Sequence, residues 1–166
     1  EGKWWVQDIS SSIPIKLLGD VKEKEVLDLF SAPGGKAMQL IASGANVTCV
    51  DKSSVRIKML RENLARMKMK SEIVETDFYK FKSQKKFDLV VIDVPCSSTG
   101  TIRKNKEIQY LFPKKRLDNL LQIQKDSLNV AKKFVKDNGL ILYCNCSLFF
   151  SEGEYQIFDF IDNNRD

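Results

Sequence analysis

Two hydrophobic rhythms alternate along the chain. Five short apolar runs, at 25–30, 46–50, 72–76, 87–92 and 140–143, show no period of two. Runs of this kind suit strands that are covered on both faces. Between them apolar residues recur at three- and four-residue spacing. Residues 37–43 read as a helix ended by Gly44. Ile57, Leu60, Leu64 and Met67 mark one face of a longer helix that Ser53 would cap. Leu117, Leu120, Leu121, Leu128, Ala131 and Phe134 mark another, with Pro113 suited to its first turn and Gly139 placed just before the fifth strand. Ser151 and Glu154 have the spacing of a capping box for a last helix, which carries Ile157, Phe158 and Ile161 on one side. Strands alternating with helices predict an α/β fold with a doubly wound, mostly parallel sheet and right-handed crossovers. With no repeat or linker in 166 residues, a single domain over 1–166 is expected. Glu1 stands where an initiator methionine would, so the domain is expected to be a piece of something longer.

Polar residues gather at the strand ends, where an open parallel sheet binds its ligands. Gly34 and Gly35 follow the first strand, Asp51 closes the second, Asp77 the third and Asp93 the fourth. Asp51 lies 17 positions after Gly34 (51 − 34), which suits the hydroxyls of a ribose. Any one of these acids alone reads as a cap or a solvated loop residue. Three in register with a glycine loop point to a nucleoside-containing ligand. The loop is neither G-x-G-x-x-G nor G-x-x-x-x-G-K-[ST], so neither a dinucleotide's pyrophosphate nor a nucleoside triphosphate is well served. An acidic rim favours a cation. S-adenosylmethionine, with a ribose, an adenine and a sulfonium, fits.

Composition narrows the chemistry. Hydrophobic residues at 43% and charged residues at 30% are ordinary for a globular protein. No apolar run approaches the ~20 residues that span a bilayer and no signal pattern opens the chain, so a cytoplasmic location is expected. The net charge of +5 fits a polyanionic partner or plain solubility about equally. The four cysteines, at 49, 96, 144 and 146, lack paired metal-ligand spacing, so no metal is expected. The chain has no histidine, which removes any Cys-His or Ser-His-Asp nucleophile of its own. Cys49 in mid-strand and Cys144 inside the fifth strand read as small buried hydrophobes. Cys96 and Cys146 differ: they end the fourth and fifth strands, 50 positions apart (146 − 96). In the commonest doubly wound orders those strands are neighbours, so both thiols would face one pocket.

A thiolate beside a methyl donor suggests a particular reaction. Carbon 5 of a pyrimidine is a poor nucleophile. Thiolate addition at carbon 6 makes the ring an enamine whose carbon 5 can attack a sulfonium methyl. An acid such as Asp93 near ring nitrogen 3 favours the addition, and loss of the carbon 5 proton lets the thiol leave.

The motifs that carry this chemistry resemble the Sun/Fmu-type RNA 5-methylcytosine methyltransferases. They include Val6-Gln7-Asp8-Ile9-Ser10-Ser11, Asp28-Leu29-Phe30-Ser31-Ala32-Pro33-Gly34-Gly35-Lys36, Val50-Asp51-Lys52-Ser53 with Arg56, Thr76-Asp77, Asp93-Val94-Pro95-Cys96-Ser97 and Asn145-Cys146-Ser147. The resemblance implies a Rossmann-like fold, S-adenosylmethionine as cofactor and RNA, in particular small-subunit ribosomal RNA, as partner. It implies that Phe30, Ser31, Ala32, Pro33, Gly34, Gly35, Lys36, Asp51, Arg56, Asp77 and Asp93 hold the cofactor. Cys146 would attack carbon 6, Cys96 would assist breakdown of the adduct, and Asp93 with Pro95 would orient the cytosine. Only the resemblance distinguishes the roles of the two thiols. The chain departs from the family pattern at Asn145, where threonine is usual, and at Ser98, where glycine is usual. The resemblance also implies an RNA-binding domain and a final strand hairpin that these residues do not contain.

Other functions fit parts of the pattern. A DNA cytosine-5 methyltransferase would give the attack to Cys96, but the glutamate-containing partner motif of those enzymes is missing. An amino-methyltransferase would show D/N-P-P-Y where Asp93-Val94-Pro95-Cys96 stands. A non-catalytic RNA clamp in ribosome assembly would use the basic segments 103–106 and 114–116, which read equally well as solvated surface.

Overall fold

Five parallel strands form one sheet in the order β3-β2-β1-β4-β5. They are β1 (Glu25–Leu29), β2 (Asn46–Asp51), β3 (Glu72–Glu75), β4 (Phe87–Asp93) and β5 (Val135–Cys144). The structure is a computed structural model, and it describes residues 2–110 and 114–165. Strand order reverses between β1 and β4, where Val26 pairs with Leu89 and Leu29 with Ile92. A crevice opens at the carboxyl ends there, which is where an open α/β sheet takes its ligand.

The uninterrupted apolar runs have a direct cause. Val26, Val47, Cys49, Leu89 and Val91 point to one side of the sheet, against α2 (Gly35–Ala42) and α3 (Ser54–Arg66). Leu27, Leu29, Val50, Val90 and Ile92 point to the other, against α4 (Lys114–Phe134) and α5 (Glu154–Asp162). Both faces are apolar, so the period of two vanishes from the sequence. Ile57, Leu60, Leu64 and Met67 of the α3 region are buried, as their spacing predicts. Ser53 caps α3 by accepting from the Arg56 N–H.

Several local expectations are corrected. Ser151 and Glu154 make no capping box: α5 starts after Gly153 with no side-chain cap, and a 3-10 turn, Phe150–Glu152, precedes it. Ile157 packs on the core, but Phe158 and Ile161 are exposed and Phe160 takes the inward place. Gly139 lies inside β5, which starts at Val135 and shifts register between Phe87 and Leu89 of its partner. On α4, Leu128 and Ala131 are buried, whereas Leu117, Leu120, Leu121 and Phe134 are half-buried. The placement of Pro113 in the first turn of that helix falls outside the described residues. One helix carries no signal in the hydrophobic pattern: α1, Ile9–Lys16, contains Pro14 and leaves Ile9 and Ile13 exposed. It is fixed from its start, where Asp8 accepts from the Ser10 N–H.

Candidate active site

The loop after β1 is tied down on every side. Phe30 takes a φ of 61° and turns the chain sharply. The Ser31 N–H donates to Val50 O at 3.1 Å, and its hydroxyl donates to Asp28 Oδ2 at 2.8 Å. Asp51 Oδ2 accepts from the Ala32 N–H at 3.2 Å, while Oδ1 accepts from the Ser53 N–H at 3.0 Å. The Arg56 guanidinium donates to Ala32 O and lies 3.8 Å from Asp51 Oδ2. Asn63 Nδ2 donates to Pro33 O at 3.0 Å. Gly34 adopts a φ of 104°, and a Cβ there would fall 2.4 Å from Leu60 Cδ1. Only glycine meets both demands. The loop ends in α2, whose second residue, Lys36, is mostly buried.

Lys36 reaches across the point of strand reversal. Its Nζ lies 2.7 Å from Asp93 Oδ2 and 3.4 Å from Ser11 Oγ of α1. Burial alone would lower the ammonium's pKa, but the Asp93 carboxylate outweighs it and the net shift is upward. The sequence-predicted acids thus stand in a row along the carboxyl edge: Asp77 after β3, Asp51 on β2, the loop after β1, Asp93 on β4. They are not equivalent. Asp51 holds the loop, and Asp77 accepts from the Tyr79 N–H at 3.1 Å, capping a short 3-10 turn. Asp93 opens onto a cavity of about 490 Å³.

Lys36, Asp93, Ser11, Lys104, Cys144 and Cys146 are among the residues that line that cavity. Cys96 and Cys146 meet at its edge, Sγ to Sγ at 3.4 Å. The strands β4 and β5 are neighbours, with Asp93 opposite Cys144, so the loops that follow them run side by side. Gly100 permits this closeness: its N–H donates to Cys146 O at 2.8 Å, and a Cβ would fall 2.7 Å from that oxygen. Cys146 is exposed and Cys96 half-buried behind it. The Cys146 N–H donates to Cys96 Sγ at 3.4 Å, and the Ser98 hydroxyl lies 3.5 Å from Cys146 Sγ.

The two thiols have opposite acidities. The hydrogen bond from Cys96 is the largest influence on Cys146; burial opposes it, the Ser98 hydroxyl assists it, and the thiol is lowered from 9.0 to about 6. The same contact, with burial, pushes Cys96 up. Cys49 and Cys144 are buried, and burial raises them to about 11 and about 12. The reading of both as small core residues holds for their burial, although Cys144 also borders the cavity.

Glu152 was not anticipated. It is fully buried, and its carboxylate accepts from the Ser97 N–H at 2.8 Å, Gln124 Nε2 at 2.9 Å and Ser147 Oγ at 2.5 Å. The sequence signal there, an acid flanked by turn residues before a helix, is shared by Glu154, whose spacing from Ser151 competes with it. Asp28, also fully buried, stands out in the sequence only as part of a motif. Its Oδ1 has no hydrogen-bond partner, and burial raises its carboxyl to about 7. Asn145 has a clear function of its own: Nδ2 donates to Glu152 O at 3.0 Å and Oδ1 accepts from the Ser147 N–H at 2.8 Å.

Comparison with known proteins bears on the family and the fold. The chain matches the family model for the 16S rRNA methyltransferase RsmB/F over residues 15–166. It is 33% identical to ribosomal RNA small subunit methyltransferase B of Pasteurella multocida over 176 aligned positions, covering 100% of this chain and 40% of that protein. The crystal structure of PH0851 superimposes with a TM-score of 0.92 at 30% identity, covering 98% of this chain and 38% of the other. NSun6 from Pyrococcus horikoshii, solved with SFG, an analogue of S-adenosylmethionine, superimposes with a TM-score of 0.87 at 24% identity, covering 98% and 43%. The chain therefore spans about 40% of the length of the curated relatives it matches. A parallel sheet reversed between β1 and β4 is the Rossmann-like fold of S-adenosylmethionine-dependent methyltransferases, and this chain belongs to the RsmB/F family of 16S rRNA methyltransferases.

Proposed function

We propose that this domain methylates carbon 5 of cytosine in RNA, with small-subunit ribosomal RNA in the cytoplasm as its substrate. The observation that carries this reading is the pair of sulfurs 3.4 Å apart, at the ends of neighbouring strands, on a cavity that also holds the Lys36–Asp93 pair. The donor set along the rim suits a cationic nucleoside: carboxylates at Asp51, Asp77 and Asp93, and the loop of Phe30, Ser31, Ala32, Pro33, Gly34, Gly35 and Lys36, with Arg56 behind it. S-adenosylmethionine, when bound there, supplies an electrophilic methyl group on a positively charged sulfur.

The chain's own residues do the rest. Cys146, held as a thiolate, adds to carbon 6 of the ring and leaves carbon 5 nucleophilic. Asp93, fixed by Lys36, orients the base, and a proton taken up at ring nitrogen 3 balances the addition and leaves again when the adduct breaks down. After methyl uptake a base removes the carbon 5 proton, the ring double bond re-forms and the bond from Cys146 to carbon 6 breaks. Cys96, in contact with the departing sulfur, assists that release. The cytosine must be unpaired or flipped from its stack to enter the cavity. A DNA cytosine-5 methyltransferase with Cys96 as the nucleophile fits less well, because Cys96 lies behind Cys146 and its thiol is pushed up.

The test is covalent trapping on 5-fluorocytosine RNA in the presence of S-adenosylmethionine, followed by peptide mapping. An adduct on Cys146 supports the reading. An adduct on Cys96 transfers the attack to the other thiol, and the absence of any adduct refutes covalent catalysis.

A further inference from the structure

Both sulfur loops converge on one carboxylate. We propose that Glu152 is a positioning residue that sets the distance and orientation between Cys96 and Cys146, an inference that rests on the functional reading of those two thiols. Its side chain reaches neither sulfur. It reaches the residue that follows each of them: the Ser97 N–H next to Cys96 at 2.8 Å, and the Ser147 hydroxyl next to Cys146 at 2.5 Å. Its main-chain oxygen accepts from Asn145 Nδ2 on the other flank of Cys146 at 3.0 Å, and from the Tyr143 hydroxyl at 2.7 Å. Gln124 of α4 completes the hub, with Nε2 donating to Glu152 Oε1 at 2.9 Å and to Pro95 O at 3.0 Å.

The choice of a carboxylate has a chemical consequence. An ionised carboxylate only accepts, so each of its three neighbours must donate. The Ser147 hydrogen is thereby committed to Glu152, and its oxygen is left to accept from the Phe149 N–H at 3.0 Å. That arrangement fixes the backbone on both sides of Cys146. A buried carboxylate is costly unless it is fully hydrogen-bonded, so the loops are held to the geometry that satisfies it. The hydrogen bond between the sulfurs, at 3.4 Å, depends on that geometry and would weaken with a small separation of the loops.

The experiment reads thiol geometry without RNA or cofactor. Cys146 alkylation by iodoacetamide is followed against pH in the purified protein, with mass mapping to separate the four cysteines. Glu152→Ala is expected to raise the midpoint of the Cys146 profile by about one pH unit and to slow alkylation at neutral pH by roughly tenfold. S-adenosylmethionine affinity should stay within about twofold, because the rim on β1, β2 and β3 is untouched. Glu152→Gln should restore most of the profile. Its amide oxygen still accepts from Ser97 and Gln124, its nitrogen donates to Ser147 Oγ, and that hydroxyl turns to Thr99 Oγ1, 3.2 Å away. If Glu152→Ala does not fold, Gln124→Leu removes one arm of the hub and should shift the midpoint in the same direction by a smaller amount. A folded Glu152→Ala or Gln124→Leu protein with an unchanged Cys146 profile overturns the proposal. Failure of RNA trapping with a shifted profile would instead fault the functional reading alone.

Discussion

Asp28 is the most exacting place to test the electrostatics of this sheet. It sits next to the carboxyl end of β1, fully buried, with Oδ2 bonded to the Ser31 hydroxyl and Oδ1 without a partner. Burial is the main influence that raises its carboxyl from 3.8 to about 7; the Ser31 hydrogen bond opposes it, and the Asp93 charge adds to it. The sign follows from proton counting. Between those two values the folded chain holds a proton that the unfolded chain has lost, so stability falls as pH rises and levels off above the folded value. At about 1.4 kcal/mol per unit, the upward shift amounts to roughly 4 kcal/mol lost between about pH 4 and pH 7. Replacing Asp28 with Asn removes the titration and leaves a pH-independent offset. Cys146 acts in the opposite sense: its lowered thiol contributes stability above the unfolded value that is lost as pH falls through about 6. The informative quantity is therefore the difference between wild type and Asp28→Asn, measured by urea unfolding at pH 5 and pH 8. The variant should gain about 2–3 kcal/mol on wild type over that interval, the part of the shift that lies above pH 5. An equal pH dependence in the two proteins would show that Asp28 stays charged in the fold, and the account of its burial would be wrong.

Four further outcomes are expected. Cys96→Ala should raise the Cys146 midpoint and slow its alkylation at pH 7 by about tenfold or more, since a thiol near 6 is ~90% ionised there and one near 9 only ~1%. With 5-fluorine absent, the same variant should still accumulate a denaturation-resistant RNA adduct on gels, and free RNA alone would place the release step elsewhere. Ser98 takes a φ of 58° and a ψ of 21°, so Ser98→Gly should stabilise the fold by about 0.5–1 kcal/mol while removing the hydroxyl that contacts Cys146 Sγ; a thermal midpoint lowered by the change would contradict this. Arg103→Ala with Lys106→Ala should weaken RNA binding and flatten its dependence on salt by about two counterions, and an unchanged salt slope would leave both as solvated surface.

The sheet was legible because its strands are buried on both faces, and Val26, Leu27, Leu89, Val90 and their neighbours carry no competing pattern. The strand ends were legible because Asp51, Asp93 and the thiols at 96 and 146 break those runs abruptly. Other features depend on contacts far apart in sequence. Val135 joins β5 through a register shift against β4, which no local propensity announces. The helix α1 contains a proline and little amphipathic order, so the hydrophobic pattern passes over it. Glu152 is invisible as a hub, because its partners at 97, 124 and 147 become neighbours only when α4 and α5 dock on one side of the sheet. Asp77 shows the reverse: a residue chosen for a ligand rim also serves as an ordinary cap.

The contact between Lys36 and Asp93 has a thermodynamic meaning. It bridges the two halves of the sheet across the point where strand order reverses. Any molecule that draws Asp93 toward itself strands a largely enclosed ammonium, and any that relieves the ammonium frees the carboxylate. Two ligands that each touch this pair would therefore be coupled in affinity, each changing the charge that the other meets.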